Sequence, residues 1–124
     1  MSNLRIELSW LLMLAEQRIP GDPQVTDWGA LVAAVARHQA EILDVPVYDS
    51  PHDRAAALLQ LLIHIPALER SNALFASAVA YAYLVASGLK VATSPEQVRE
   101  LARLVKNGDA SVHDIAQELR QWSV

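Results

Sequence analysis

Apolar residues recur every three or four positions along most of the chain, which is the spacing of amphipathic helices. Proline, glycine and polar residues separate the periodic windows. The pattern predicts about six helices, over 10–18, 26 or 27 to 43, 50–66, 71–88, 94–107 and 111–122. Leu4, Ile6 and Leu8 alternate with charged residues, which indicates a short extended segment before the first helix.

Short polar side chains that can cap a helix stand where each window begins. The predicted caps are Ser9, Thr26 or Asp27, Ser50, Ser71, Thr93 or Ser94, and Ser111. Ser94 and Gln97 have the spacing of a capping box, and Pro51 suits a first helical position. Pro20, the linker 44–49 with Pro46, Pro66, Gly88 and Asn107-Gly108 mark the ends.

The fourth window, 73–86, is the most apolar, with Ser77 as its one clearly polar side chain. A bilayer span needs about 20 apolar residues, and Ser87, Gly88 and Lys90 follow too soon. A helix that is apolar all round but too short to span is typical of a buried one. We therefore predict an all-α fold, a single domain over 1–124, built as a bundle around this buried central helix.

Composition narrows the classes of function. The 124 residues contain no cysteine, so disulfides and cysteine-bound metals are excluded, and a reducing cytoplasm is the expected location. The formal net charge is −4 and no basic run occurs, which argues against direct binding to nucleic acid or to a membrane surface.

The sequence offers few catalytic residues. His38, His52, His64 and His113 include no pair four residues apart, so we expect no metal site. A glycine-rich phosphate loop and a GxSxG nucleophile motif are also absent. His64, late in an apolar helix and near a loop, is the candidate catalytic base; the alternative is a core histidine with its hydrogen bonds satisfied.

The segment 66–72 leads into the most apolar helix and is the candidate binding site. Free amides at a helix start, with the helix dipole behind them, favour an anion. Glu69 could hold a divalent cation, Arg70 could meet a phosphate, and Ser71 and Asn72 could complete a site for an anion or a nucleotide phosphate. In the alternative interpretation, the two charges are solvated and the two polar residues only cap the helix.

From this loop outward, the chain resembles the Fic/Doc family, specifically the short Doc-type toxins. The similar stretches are GDPQVTDWGAL before the second helix, SGLKV after the apolar helix, and NGDASVHDIAQELRQW at the end. They cover about residues 21 to 122. The resemblance implies a Fic/Doc-like helical fold.

The family's signature loop runs His, any residue, Phe, any residue, Asp or Glu, Gly or Ala, Asn, Lys or Gly, Arg. With SGLKV in register, Asn72 matches the Asn and Leu68 replaces the Phe. The His, acid and Arg positions hold Pro66, Arg70 and Leu74. A slip of one residue restores Glu69 as the acid but loses Asn72. The resemblance therefore implies a degenerate member.

Family membership implies a small antitoxin partner, and ATP with Mg²⁺ only if transferase activity is retained. Our first interpretation is a Doc-like toxin component that acts through protein binding. The alternatives are an active nucleotidyl- or phosphotransferase with nonstandard residues, and a structural or regulatory helical module.

Overall fold

The computed structural model describes residues 4–124. Within that range the all-α prediction is confirmed, since six helices are joined by short connections and one small antiparallel hairpin. The elements are α1 (Leu8–Arg18), α2 (Trp28–His38), β1 (Glu41–Ile42), β2 (Val45–Pro46), α3 (Pro51–His64), α4 (Asn72–Ala86), α5 (Pro95–Lys106) and α6 (Val112–Trp122).

Four of the predicted helix starts are confirmed. The side chains of Asp27, Ser50, Ser94 and Ser111 each accept a hydrogen bond from the backbone amide three residues later. The Ser94 and Ser111 caps are full capping boxes, in which the side chain at the third helical position bonds back to the cap amide.

The predicted start of the first helix at Ser9 is wrong. α1 begins at Leu8, and Glu7 occupies the cap position without a side-chain hydrogen bond. The incoming segment is held by tertiary contacts, because Ile6 is buried and its amide donates to His38 Nε2 at 3.0 Å. Those contacts, rather than a local cap, fix where the chain turns into the helix.

The predicted end of the second helix near Leu43 is also wrong. α2 ends at His38, and the chain reverses through the β1–β2 hairpin. Leu43 and Asp44 take φ values of 52° and 66°, the left-handed conformation that tight hairpin turns require. Ile42 and Leu43 are therefore exposed, at 66% and 93%, instead of forming a helix face.

α3 lies at the middle of the bundle, packed against α2, α4, α5 and α6. As predicted, Ser50 caps its start and Pro51 is its first residue; it ends at His64, two residues before Pro66. The broadest contact is with α4, whose buried face consists of Phe75, Ala76, Val79, Ala80, Tyr83 and Leu84.

The prediction that α4 is buried on all sides is confirmed for one of its faces and is wrong for the opposite face. Leu74, Tyr81 and Val85 are 50%, 44% and 48% exposed, and with the half-buried Ala78 they form one row along the helix, named here the α4 stripe. Gly88, at φ 90°, closes the helix as predicted, and the Leu89 amide bonds the Leu84 carbonyl at 3.1 Å. Between residues 4 and 124, no helix is long and apolar enough to cross a membrane.

Candidate anion-binding loop at the start of α4

The loop between α3 and α4 is fixed by the backbone of the segment that joins α1 to α2. The Thr26 amide donates to the Ala67 carbonyl at 2.8 Å, and the Glu69 amide donates to the Gln24 carbonyl at 2.9 Å. Between these bonds, Val25 and Leu68 form an antiparallel bridge. Two connections far apart in sequence thus behave as a short two-stranded ribbon.

Asn72 holds the loop from inside. Its Oδ1 accepts hydrogen bonds from the amides of Ala67 and Leu68, both at 3.0 Å, and its Nδ2 donates to the Leu68 carbonyl at 2.9 Å. All three bonds close within the loop, so the side chain organises the backbone around it.

Ser71 does not cap α4 with its side chain, contrary to the prediction. Its backbone is left-handed, with φ 63° and ψ 32°, and its hydroxyl makes no capping bond. A capping serine needs an extended backbone to reach the amides of the first turn. The first bond of the helical ladder runs from the Phe75 amide to the Ser71 carbonyl, at 2.9 Å, so the amides of residues 72–74 precede it.

Glu69 and Arg70 face the 21–24 segment. Glu69 Oε2 accepts from the Gln24 amide at 2.6 Å, and its Oε1 lies 3.1 Å from Arg70 Nη1. Arg70 Nη2 donates to the Gly21 carbonyl at 3.0 Å. Gly21 has φ 82°, and a Cβ there would lie 2.5 Å from Arg70 Nη2. Both charged side chains therefore hold the loop against the 21–24 segment.

The structure places His64 outside the loop. Its Nε2 lies 2.9 Å from the Val105 carbonyl oxygen. A carbonyl can only accept, so Nε2 carries the proton and Nδ1 alone remains as a possible base. This bond ties the end of α3 to the end of α5.

A cleft of about 380 Å³ opens at the start of α4, lined by Ile63, Pro66, Ser71, Asn72, Ala73, Leu74 and Lys106. Lys106 comes from the last turn of α5 and was not found from the sequence, because nothing in the local pattern predicts that α5 ends beside this loop. Lys106 thus lines the same cleft as the first turn of α4, where the helix dipole is positive, and this combination favours an anion.

A groove of about 290 Å³ continues from this cleft between α4 and α5. The two share Ala73 and Leu74, and the groove adds Ser77, Val98, Arg99 and Ala102. We name the continuous surface the α4–α5 groove. It is apolar along its length, with two cations, Lys106 and Arg99, at its edge.

The donor set for a metal is poor. In the part of the chain that the structure describes, no three His, Asp or Glu side chains converge as metal ligands. The Glu69 carboxylate already bonds an amide and a guanidinium group. The loop's own residues therefore do not fit the Mg²⁺ that the resemblance implies.

Comparison with known proteins relates the chain to a toxin. No family model matches the chain. It is 38% identical over 101 residues to a protein of Mycolicibacterium smegmatis named "Toxin Doc". The match covers 80% of this chain and 78% of that relative, and so includes the loop, α4 and most of the surrounding helices.

Proposed function

Because the chain belongs to the Doc toxin family, we propose that it is the toxin component of a toxin–antitoxin pair, with a degenerate active site, and that it acts through protein binding. The observation that carries this proposal is that the polar side chains of the loop form structural bonds within the chain. Glu69, Arg70 and Asn72 hold the loop in place, and each is already bonded within the chain.

The family register supports a degenerate site. Pro66 stands at the position of the base and has no group that could accept a proton. Leu74 stands at the position of a phosphate-binding arginine, and Arg70 replaces an acid. Loss of a general base typically costs about 10² to 10⁴ in rate, and each lost electrostatic contact adds to that loss.

The shifted register does not easily restore the chemistry. Glu69 would have to leave the Gln24 amide and Arg70 to become a metal ligand. His64 would have to reach the loop from the end of α3, where the Val105 carbonyl holds it. Both rearrangements are needed together, which favours binding over catalysis.

The α4 stripe and the α4–α5 groove support a protein partner. An exposed apolar row on a helix, beside an apolar groove, is the surface that an amphipathic helix covers. Arg99 and Lys106 at the groove edge favour carboxylates on the partner. We propose that a small antitoxin fills this groove with an amphipathic helix that has acidic flanks.

A second candidate function is supported by the cleft itself. The first turn of α4 and Lys106 could together bind a phosphate group. A phosphate site supports the alternative of a nucleotidyl- or phosphotransferase with nonstandard residues, although, among residues 4–124, the loop supplies no set of ligands for the Mg²⁺ that such an enzyme would use with ATP. A helical module without a ligand is the third candidate, and a small partner that co-purifies with the chain would exclude it.

The decisive experiment expresses the chain with and without the product of the adjacent small reading frame. We expect growth inhibition that the partner relieves, and a higher melting temperature for the complex. Equal growth, yield and melting temperature in both cases would contradict a toxin–antitoxin role.

A transfer assay separates binding from catalysis. Pure protein is incubated with labelled ATP, Mg²⁺ and a cell extract, and wild type is compared with His64→Ala and Glu69→Ala. We expect no transfer above background. Robust transfer that either substitution abolishes would establish the transferase instead.

A further inference from the structure

We propose that the groove between α5 and α6 binds a cationic amphipathic segment of a protein partner, on a different face from the α4–α5 groove. Five carboxylates line it: Glu96, Glu100, Asp109, Asp114 and Glu118. Leu101, Leu104 and Ala110 line it too, with Gln97, and its volume is about 370 Å³. We name it the acidic groove.

The carboxylates come from both helices and from the connection between them. Glu96 and Glu100 are one helical turn apart on α5, and Asp114 and Glu118 are one turn apart on α6. Asp109 belongs to the connection between the two helices and closes one end. A groove that combines apolar side chains with carboxylates from both helices is complementary to a segment that carries apolar side chains flanked by cations.

The negative charge of the groove is only partly compensated within the chain. Among its lining residues there is no Lys, Arg or His. Within residues 4–124, Glu100 alone of the five forms an ion pair, with Arg103 at 2.6 Å, and Arg103 also interacts electrostatically with Asp109. Glu118 accepts a hydrogen bond from the Trp122 indole at 3.0 Å. Hydrogen bonds from Arg103 lower the pKa of Glu100, and hydrogen bonds from Ser111 lower the pKa of Asp114. Both carboxylates therefore stay charged at neutral pH.

α5 separates two surfaces of opposite sign. Arg99 and Lys106 line the α4–α5 groove, whereas Glu96 and Glu100 line the acidic groove. A partner with acidic flanks that suits the first surface is repelled by the second, because like charges across an interface oppose binding. The acidic groove thus requires a segment of different chemistry.

Repulsion among the carboxylates favours a cationic occupant of the acidic groove. Like charges four residues apart on a helix are mildly destabilising. Two such pairs, Glu96 with Glu100 and Asp114 with Glu118, line the groove, and cations from a partner would reduce the repulsion within each pair. A simple polycation would not bury the apolar lining of the groove. A segment that inserts apolar side chains would bury it and would bind more tightly for that reason.

The test uses the full chain and a labelled helical probe peptide of about 14 residues, or four turns. The peptide carries leucines on one face and lysines on both sides of them, and binding is measured by fluorescence anisotropy. We expect Glu96→Gln with Asp109→Asn to weaken binding about threefold to tenfold, as loss of two exposed charge pairs would. Glu16→Gln with Asp44→Asn makes the same charge change at exposed carboxylates elsewhere, and should have little effect.

Two further arms test the apolar component. Serines in place of the peptide's leucines should weaken binding at least as much, and spermine should compete poorly. The proposal would be overturned if the control pair of substitutions weakened binding as much as Glu96→Gln with Asp109→Asn. It would also be overturned if the serine peptide bound as tightly as the leucine peptide. Arg99→Gln, which alters the proposed antitoxin surface, should leave probe binding intact, so failure of one proposal does not imply failure of the other.

Discussion

His38 accepts a hydrogen bond from the backbone amide of Ile6 through Nε2, at 3.0 Å. An amide can only donate, so Nε2 is unprotonated, and Nδ1–H donates to the Val35 carbonyl at 2.6 Å. The ring is buried and lies edge-on to Tyr83, whose hydroxyl donates to the Leu4 carbonyl. A neutral histidine therefore anchors the segment that precedes α1.

This anchor predicts that stability falls in mild acid. Burial lowers the pKa of His38 below its ordinary 6.5. Above that value neither the folded nor the unfolded ring is charged. As the pH drops below about 6.5, the unfolded chain binds the proton first, so the free energy of unfolding decreases until the folded pKa is passed.

Urea unfolding between about pH 5 and 8 measures this slope. Glutamine at position 38 can still accept from Ile6 but does not titrate, so His38→Gln should flatten the curve. Burial and Arg120 also lower the pKa of His52, so part of the slope should remain. The exposed His113→Gln serves as control, and a wild-type slope in His38→Gln would contradict the assignment.

Ala80 tests the packing of α4 against α3. It is 1% exposed, on the buried face of α4. An unpaired buried carboxylate costs several kcal/mol, so Ala80→Asp should unfold the protein at room temperature. Ala73→Asp places the same charge on the exposed first turn and should change the melting temperature little. Circular dichroism on both variants decides the point.

Asn72 tests the construction of the loop. Asn72→Ala leaves the amides of Ala67 and Leu68 without their acceptor and should cost about 1–3 kcal/mol of unfolding free energy. Asn72→Asp keeps an acceptor for both amides but sets a carboxylate against the Leu68 carbonyl. An intermediate loss is expected for it. If Asn72→Ala and wild type had equal free energies of unfolding in urea, these hydrogen bonds would not stabilise the fold.

The α4 stripe makes a prediction for the isolated chain. Tyr81→Ser with Val85→Ser removes exposed apolar surface, so it should reduce aggregation while leaving the folded state intact. The same pair should weaken binding of the proposed antitoxin about tenfold or more. Trp28→Ser changes another exposed apolar side chain, at 53% exposure, outside the stripe. If Trp28→Ser weakened antitoxin binding as much as the Tyr81→Ser and Val85→Ser pair, the α4 stripe would not be the binding surface.

The sequence predicted best those features that depend on neighbouring residues alone. The Ser50, Ser94 and Ser111 caps need only a hydroxyl and an amide three residues on. It failed where a distant contact or an unusual backbone conformation decides the path of the chain. α1 begins where His38 holds Ile6, and the hairpin turn at Leu43 needs a left-handed leucine that no pattern indicates.

The candidate loop was found from the sequence, but not its geometry. Position relative to α4 pointed to Glu69, Arg70, Ser71 and Asn72. Their partners, 45 to 49 residues away for the two charged side chains, depend on tertiary packing that no local window contains.

The ribbon formed by Val25 and Leu68 makes two connections one cooperative unit. Neither strand can separate alone without breaking the Thr26–Ala67 and Glu69–Gln24 bonds together. In hydrogen exchange, the amides of Thr26 and Glu69 should therefore open with a common free energy and respond alike to denaturant. A movement of the loop before α4 that breaks this ribbon would therefore also displace the segment that leads into α2.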